Sequence, residues 1–197
     1  MKVFVLNGPS ASGKTVLIEA IAEKKYTADF KHPELINTID GVVKLITATT
    51  RPPRPGEIDG VHYNFFTEEE FKLEVQKGKM PEQTVYAGVT YGIWDCEIEN
   101  IRKIDKDAIV ALDIHGISEM KRFYGEENVI SIFMYRDLKD IKAALQARDV
   151  PQTEKDRRFE QAKNELKNIA KCDYVVYNIF TLEDAVNQLI NIIKKER

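Results

Sequence analysis

Residues 3–15 read VFVLNGPSASGKT, and this segment says more about the fold than any other part of the sequence. Val3 to Leu6 form a continuous apolar run, which is typical of a strand buried on both faces in a parallel sheet. Gly8 to Thr15 match the pattern G-x-x-x-x-G-K-[ST]. Glycines let such a loop curl with its N–H groups pointing inward, and the following helix adds a partial positive charge. The segment therefore predicts a strand, a phosphate-binding loop and a helix.

The side chains of this loop suit a nucleoside triphosphate. Lys14 can reach the β- and γ-phosphates, and the Thr15 hydroxyl can ligate Mg²⁺ that accompanies ATP. The predicted ATP-binding residues of the loop are Gly8, Ser10, Ser12, Gly13, Lys14 and Thr15. The alternative is a glycine-rich turn that binds nothing.

Strands alternate with helices over most of the chain, which predicts an α/β fold with a parallel sheet. Further strands are predicted at 42–46, 108–113, 129–134 and 173–177. Helices are predicted at 14–24, 94–103, 117–123, 137–147, 154–170 and 182–194. Residues 27–41 carry polar residues, proline and glycine that interrupt any regular pattern, and they favour a loop or a short helix.

Residues 47–93 differ from their flanks because they lack long helices. A strand is predicted at 61–66, a capping box begins a helix at Thr67, and 80–93 favour short strands with turns at Gly88 and Gly92. We therefore expect a P-loop core formed by residues 1–46 and 94–197, with a small mixed α+β insert at 47–93.

Composition limits the classes of partner. The 197 residues include 29 Lys and Arg against 32 Asp and Glu, so the net charge of −3 gives no general attraction to nucleic acid or to an anionic membrane. The N-terminal apolar run is too short for a signal peptide or a membrane span. Cys96 and Cys172 are too few for a disulfide framework. A cytoplasmic protein with reduced thiols is expected.

Asp113 ends the apolar strand that is predicted at 108–113. In P-loop proteins an aspartate at such a position holds Mg²⁺, directly or through water. An aspartate that caps the next helix is the alternative interpretation. Asp113 and Thr15 are accordingly the predicted metal residues.

Two arginine-containing segments suit phosphate groups. In Arg51-Pro52-Pro53-Arg54 the prolines stiffen the chain, Glu57 can orient one guanidinium, and the hydroxyls of Tyr63 and Tyr91 add donors. Farther along, arginines at 148, 157 and 158 flank a break between two helices, and such a hairpin could close over phosphates. A solvated surface loop is the alternative for each segment.

These segments together resemble the guanylate kinase family. Besides the loop at 8–15, residues 49–65 read TTRPPRPGEIDGVHYNF and are similar to the family's T-T-R-x-x-R-x-G-E-x-x-G-x-x-Y-x-F pattern. Tyr91-Gly92, preceded by Glu82, forms a third block. Weaker similarity runs through 112–114, the arginines of the hairpin and 176–178, so the resemblance covers nearly the whole chain.

The resemblance implies a kinase with a P-loop core, a GMP-binding insert and a helical lid at about 144–160. Such an enzyme transfers the γ-phosphoryl group of MgATP to GMP, and this extends to dGMP. The implied GMP-binding residues are Thr47, Arg51, Arg54, Glu57, Tyr63, Glu82, Tyr91 and Gly92. The implied catalytic residues are Lys14, Arg51, Arg148 and Arg158. Asn178 falls at the family's adenine-side loop.

The sequence also departs from the family pattern. Ile93 stands where the family has Ser or Thr, His115 follows Asp113-Ile114 where a second carboxylate is common, and Ala144 replaces the first lid arginine. Residues 27–41 resemble an insertion.

Two alternative functions stay open: a P-loop kinase for another monophosphate or a phosphorylated sugar, and a non-catalytic interaction module. Modules of that kind have a degraded P-loop, whereas this loop is intact. A monomer and a homodimer are both compatible with the sequence.

Overall fold

The computed structural model describes residues 1–26, 30–86 and 88–197, apart from the side chain of Tyr86. The strands are β1 (Val3–Asn7), β2 (Val42–Lys44), β3 (Ala48–Thr49), β4 (Asn64–Phe65), β5 (Glu82–Tyr86), β6 (Val89–Ile93), β7 (Asp107–Ala111), β8 (Val129–Tyr135) and β9 (Tyr174–Tyr177). The helices are α1 (Lys14–Glu23), α2 (Glu68–Gln76), α3 (Asp95–Lys103), α4 (Ile114–Tyr124), α5 (Leu138–Gln146), α6 (Gln152–Glu165) and α7 (Leu182–Glu196). Short 3₁₀ helices cover Pro33–Thr38, Glu126–Asn128 and Leu166–Lys171.

The larger sheet is parallel and has the order β2-β7-β1-β8-β9, so the predicted α/β class is confirmed. Its central strand β1 is buried on both faces. Phe4 and Leu6 pack in one apolar cluster with residues of α1 and α7, and Val3 and Val5 pack in a second cluster with residues of α3 and α4. Because both faces of β1 are covered by helices, its sequence is continuously apolar rather than alternating.

The carboxyl ends of the parallel strands meet at one edge of this sheet. The phosphate-binding loop follows β1, which lies between β7 and β8. Asp113, Arg136 and Asn178 come directly after, or within two residues of, the ends of β7, β8 and β9. Ligands of open α/β sheets bind at this edge, where successive connections lead to opposite sides of the first strand.

The smaller sheet has the order β4-β3-β6-β5 and is formed by residues 48–93, within the segment for which an insert is predicted. Strand β3 is parallel to β4 and antiparallel to β6. The helix predicted from the capping box is present, because Thr67 and Glu70 cap α2 reciprocally. Phe71 of α2 is buried beneath the sheet.

Two local predictions for this segment are wrong. The strand expected at 61–66 is limited to Asn64–Phe65, because residues 58–63 form turns in which Val61 N–H donates to Ile58 O and Gly60 N–H donates to Tyr63 O. Gly92 lies within β6 and not at a turn. A Cβ at Gly92 would lie 2.7 Å from the Glu82 carbonyl oxygen and 2.9 Å from Phe71 Cζ, so glycine is needed there for close packing.

Helices α5 and α6 form the hairpin that carries the predicted lid arginines. Ile141 and Leu145 pack against Ala162 across the hairpin. The helix expected at 154–170 is instead α6, which begins after Pro151, followed by a 3₁₀ helix from Leu166. Proline fixes the start because its ring cannot be accommodated inside a helix.

The segment 27–41 contains a short helix, which is one of the two forms predicted for it. Residues 27–29 lie outside the described residues, and the described remainder holds the 3₁₀ helix at Pro33–Thr38. Among the helices of the described residues, none has the length and apolar character that a membrane crossing requires.

Candidate active site

A cavity of about 960 Å³ lies between the phosphate-binding loop, the smaller sheet and the hairpin of α5 and α6. This volume is within the range of small-molecule sites. Most of the residues predicted from the sequence line it: Gly8, Ser10, Ser12, Gly13, Lys14, Thr15, Thr47, Arg51, Arg54, Tyr63, Glu82, Tyr91, Gly92, Asp113, Arg148 and Arg158. The structure therefore brings four separate parts of the sequence to one site: the loop, the insert, Asp113 and the hairpin.

The loop after β1 has the curled backbone that its pattern predicts. Gly8 has a φ of 135°, and a Cβ there would lie 2.6 Å from the carbonyl oxygen of Met134, so only glycine fits. Ser12 N–H donates to Pro9 O at 3.1 Å, which closes the loop. Ala11 also has a left-handed backbone, with a φ of 67°. The curled loop leads directly into the first turn of α1, so a phosphate in the loop would lie at the N-terminus of that helix.

Lys14 is held by the loop itself. Its ammonium group donates to the carbonyl oxygens of Gly8 and Pro9, at 2.5 and 2.9 Å. Burial lowers the pKa of Lys14 to about 8, and the nearby carboxylate of Glu165 opposes this shift. An entering phosphate would favour the charged form of this lysine.

The lid arginines converge on the loop. Nη1 of Arg148 and Nη1 of Arg158 each lie 3.4 Å from the hydroxyl oxygen of Ser10, as donors. Arg158 also forms an ion pair of 2.6 Å with Glu154 on the same helix. The pKa of Glu154 is lowered first by Arg158 and, to a smaller extent, by Arg54 of the opposite wall. The cavity is thus lined with cations from both sides.

Arg51 lies at the centre of a second polar cluster. Its two Nη atoms donate to the two carboxylate oxygens of Glu57, and its guanidinium lies 4.9 Å from the centroid of the Tyr63 ring. The Tyr63 and Tyr91 rings are 6.1 Å apart. Arg51 holds the pKa of Glu57 down at about 2, and burial raises the pKa of Tyr63.

Glu57 does not line the cavity, although it was predicted among the GMP-binding residues. Its carboxylate accepts from the Arg54 N–H at 2.7 Å as well as from Arg51. It therefore positions the two arginines of this loop, which is the orienting role that the sequence suggests.

Glu82 of β5 is a buried carboxyl group in the lining of the cavity. It is only 2% exposed, and burial, followed by the neighbouring Asp113 and Glu119, raises the pKa of Glu82 to about 8. Its Oε1 lies 3.1 Å from the place where a Cβ of Gly116 would be, in the first turn of α4. Ile93 is its cross-strand partner and is fully buried.

Asp113 caps α4, as the alternative interpretation of this residue suggested. Its Oδ1 accepts from the Gly116 N–H at 2.8 Å, and its Oδ2 accepts from the Thr84 hydroxyl at 2.9 Å. The predicted metal role of Asp113 and Thr15 stays a prediction. Within residues 1–26, 30–86 and 88–197, no cluster of three or more His, Cys, Asp or Glu is arranged to hold a metal.

Asn178 forms a hydrogen bond to the backbone of the phosphate-binding loop. Its side-chain amide donates to the Ser12 carbonyl at 3.0 Å, and the residue does not line the cavity. Its assignment to ATP binding stays a prediction.

Sequence reasoning missed seven polar residues of the cavity: Asn7, Thr84, Arg136, Glu154, Gln161, Glu165 and Asn168. Arg136 Nη1 donates to the Ala11 carbonyl at 2.8 Å, and Thr84 contacts Asp113. A signal existed for two of them. Arg136 comes two residues after the strand predicted at 129–134. Thr84 is two residues from Glu82, so Thr84 and Glu82 lie on one face of a strand.

Comparisons with known proteins bear on the family of this chain. The guanylate kinase family model matches residues 1–196. A guanylate kinase of Thermotoga maritima is 33% identical over 100% of this chain and 87% of its own length. A guanylate kinase of Malacoplasma penetrans is 31% identical over 94% of this chain and 87% of its own. The crystal structure of guanylate kinase from Anaplasma phagocytophilum superimposes with a TM-score of 0.73 at 22% identity, covering 99% of this chain and 85% of that one.

Proposed function

Because this chain belongs to the guanylate kinase family, we propose that it transfers the γ-phosphoryl group of ATP to GMP, which yields ADP and GDP. One observation carries this proposal. A single cavity contains an intact phosphate-binding loop, a cluster of arginine and tyrosine, and a buried carboxyl group. The loop matches a triphosphate, the arginine and tyrosine cluster matches a monophosphate, and the buried carboxyl group matches a guanine base. Because dGMP has the same base and phosphate as GMP, it is accepted as well.

The donor side binds the phosphates of ATP. The N–H groups of the loop and the ammonium of Lys14 provide positive charge at the β- and γ-phosphates. Arg148 and Arg158, whose guanidinium groups already lie at Ser10, stabilise the charge on the transferring group. Asn178 donates to the Ser12 carbonyl of the loop, and its assignment to the adenine side rests on the family resemblance.

The acceptor side binds GMP. Arg51, Arg54, Tyr63 and Tyr91 bind its phosphate, and Glu57 holds Arg51 ready for it. The ionised carboxylate of Glu82 accepts hydrogen bonds from the guanine N1–H and amino group.

Two neighbours complete the base site. Thr47, which lines the cavity, is assigned to the base by the family resemblance, and Gly92 allows β5 and β6 to pack against Phe71.

Transfer needs alignment and charge neutralisation rather than a covalent enzyme intermediate. The positive groups of the loop, the insert and the lid offset the repulsion between two anionic substrates. Closure of the hairpin over the loop excludes water, which limits the hydrolysis of ATP. Lys14, Arg51, Arg148 and Arg158 are the catalytic residues in this proposal.

The residues at the mouth of the loop fit Mg²⁺ that enters with ATP. Asn7 Oδ1 is a buried oxygen without a hydrogen-bond partner among the described residues, and Asn7 and Thr15 are both among the residues that line the cavity. Oxygen ligands and retained waters are what Mg²⁺ prefers. Thr15 would hold the ion, with Asp113 acting through water because both of its oxygens already accept hydrogen bonds. When bound, the ion neutralises phosphate charge.

The partners in this proposal are small nucleotides and not nucleic acid or a membrane. The enzyme acts in the cytoplasm, as a monomer or a homodimer.

The proposal is tested by measuring ADP release with MgATP and a panel of acceptors: GMP, dGMP, IMP, AMP, UMP, CMP and a phosphorylated sugar. We expect the highest kcat/KM with GMP. Lys14→Ala should reduce this activity at least about a hundredfold. Lys171→Ala, at an exposed lysine, should not change it. A preference for another acceptor would overturn the specificity, and failure to bind ATP would favour an interaction module.

A further inference from the structure

We propose that Thr84 reads the exocyclic amino group of the purine, with its hydroxyl oriented by Asp113. This inference rests on the proposed function, because GMP is the ligand whose amino group is read. It assigns to Thr84 a role in specificity. It also gives Asp113 a positioning role that is independent of metal.

The pairing of β5 with β6 places Thr84 in the base site. Glu82 is opposite Ile93, and Thr84 is opposite Tyr91. Because side chains alternate along a strand and cross-strand partners share a face, these four residues lie on one face of the sheet. Thr84 lies about 6.6 Å along the strand from Glu82, since each residue advances the chain by about 3.3 Å. Thr84 also lines the cavity.

The hydrogen bonds of Asp113 determine how the Thr84 hydroxyl is oriented. The Gly116 N–H at 2.8 Å fixes one carboxylate oxygen, and Thr84 Oγ1 lies 2.9 Å from the other. An ionised carboxylate only accepts, so the hydroxyl proton of Thr84 must point toward Asp113. The lone pairs of Thr84 Oγ1 are then directed elsewhere, and the hydroxyl acts as an acceptor toward the cavity.

An acceptor at this place complements guanine. The edge of guanine presents the N1–H and an amino group with two hydrogens, and a carboxylate such as Glu82 accepts from N1–H and one amino hydrogen. The second amino hydrogen needs another acceptor. Ile93, the partner of Glu82 on β6, has no polar side-chain atom and is fully buried. Thr84 on β5 therefore provides the hydroxyl that β6 lacks.

IMP is the matched probe, because hypoxanthine differs from guanine only by the absence of the amino group. The dissociation constants of GMP and IMP are measured by calorimetry with EDTA, without Mg²⁺ or ATP, and IMP is measured by competition with GMP. We expect Thr84→Val to raise the dissociation constant of GMP about tenfold and that of IMP much less. The preference for GMP over IMP therefore falls by nearly the same factor of about ten. Thr84→Ser retains the hydroxyl and should retain the preference. Thr90→Val, on the opposite face of β6, is the control and should retain both affinities.

Asp113→Asn tests the orientation of the hydroxyl. The asparagine oxygen is needed by the Gly116 N–H, so its amide nitrogen donates to Thr84 and turns the hydroxyl proton toward the base. We expect the preference for GMP over IMP to fall in this variant also. Asp113→Asn also removes a charge that raises the pKa of Glu82, and this effect changes the metal-free affinities of GMP and IMP by the same factor. An unchanged ratio of the two affinities would therefore overturn the positioning role of Asp113.

Equal weakening of GMP and IMP in Thr84→Val would mean that Thr84 only shapes the sheet, and unchanged affinities would mean that it does not contact the base. Either result overturns the inference. If Thr84→Val does not fold, Thr84→Ala is measured with the same criteria. The proposed function is judged separately, because wild-type protein that does not phosphorylate GMP contradicts it whatever the affinity ratio is.

Discussion

Arg51 and Glu57 form a bidentate ion pair in the loop between β3 and β4, with N···O distances of 2.6 and 2.7 Å. Their side chains are only 11% and 17% exposed, and the guanidinium also stacks on Tyr63. A partly buried, hydrogen-bonded arginine has little rotamer freedom left to lose. Arg51 is therefore held in place before a phosphate binds, which reduces the entropic cost of binding.

Glu57→Gln should raise the KM for GMP about tenfold and change kcat much less. Glutamine has the same shape, but it accepts from Arg51 at one oxygen only and carries no charge, so the guanidinium gains alternative positions. Steady-state kinetics with saturating MgATP provide the measurement. Glu69→Gln, at an exposed position of α2, is the matched control. An unchanged KM in Glu57→Gln would show that Arg51 needs no partner.

Arg158→Ala should lower kcat by at least about a hundredfold, because a guanidinium that neutralises the transferring phosphoryl group acts mainly in the transition state. GMP affinity without ATP should stay within about twofold, since Arg158 lies at Ser10 on the donor side. Single-turnover kinetics and calorimetry separate the two effects. Lys163→Ala on the same helix is the control, as Lys163 pairs with Glu160. A loss confined to GMP affinity would place Arg158 on the acceptor side instead.

Arg136→Ala should raise the KM for ATP several-fold. Arg136 donates to the carbonyl of Ala11, whose left-handed backbone costs about 1 kcal/mol and needs support from its surroundings. Without that bond, the loop gains alternative conformations that bind phosphate less well. The KM for ATP is measured at saturating GMP. Arg122→Ala on α4, where Arg122 pairs with Glu119, is the control. Unchanged KM values in Arg136→Ala would mean that the loop is rigid without this contact.

The parts of the fold that sequence predicts well are those fixed by local patterns. The apolar run of β1, the loop pattern and the capping box at Thr67 each depend on residues that are close in sequence, and the structure contains all three. The turn inferred at Gly92 is wrong because glycine in a strand also serves close packing, which only the neighbouring Phe71 reveals.

The contacts of two missed residues, Arg136 and Thr84, depend on how elements that are distant in sequence pack together. Arg136 meets Ala11 because β8 lies beside β1, and Thr84 meets Asp113 because β5 packs near the start of α4. Neither neighbourhood follows from one sequence, in which these pairs are 125 and 29 residues apart. The orienting role of Glu57 was accessible because Arg51 is only six residues away.

Glu82 should make the protein less stable as the pH rises, since its environment opposes its ionisation. In the unfolded chain this carboxyl has its ordinary pKa of 4.5, whereas burial and Asp113 raise the pKa of Glu82 in the fold to about 8. Between these values the folded protein keeps a proton that the unfolded chain has released. Raising the pH through this window therefore lowers the free energy of unfolding, by up to about 1.4 kcal/mol per pH unit.

Glu82→Gln removes this penalty, so its melting temperature relative to wild type should be higher at pH 8.5 than at pH 5. Thermal unfolding at the two pH values provides the measurement, and Glu69→Gln should show the same difference from wild type at both. GMP should bind wild type more tightly as the pH rises toward 8, because the guanine donors need the ionised carboxylate, and Glu82→Gln should lose this dependence. A difference in melting temperature that is independent of pH would mean that Glu82 is already ionised in the folded protein at pH 5. The carboxylate would then be stabilised by the first turn of α4, whose N–H groups favour negative charge.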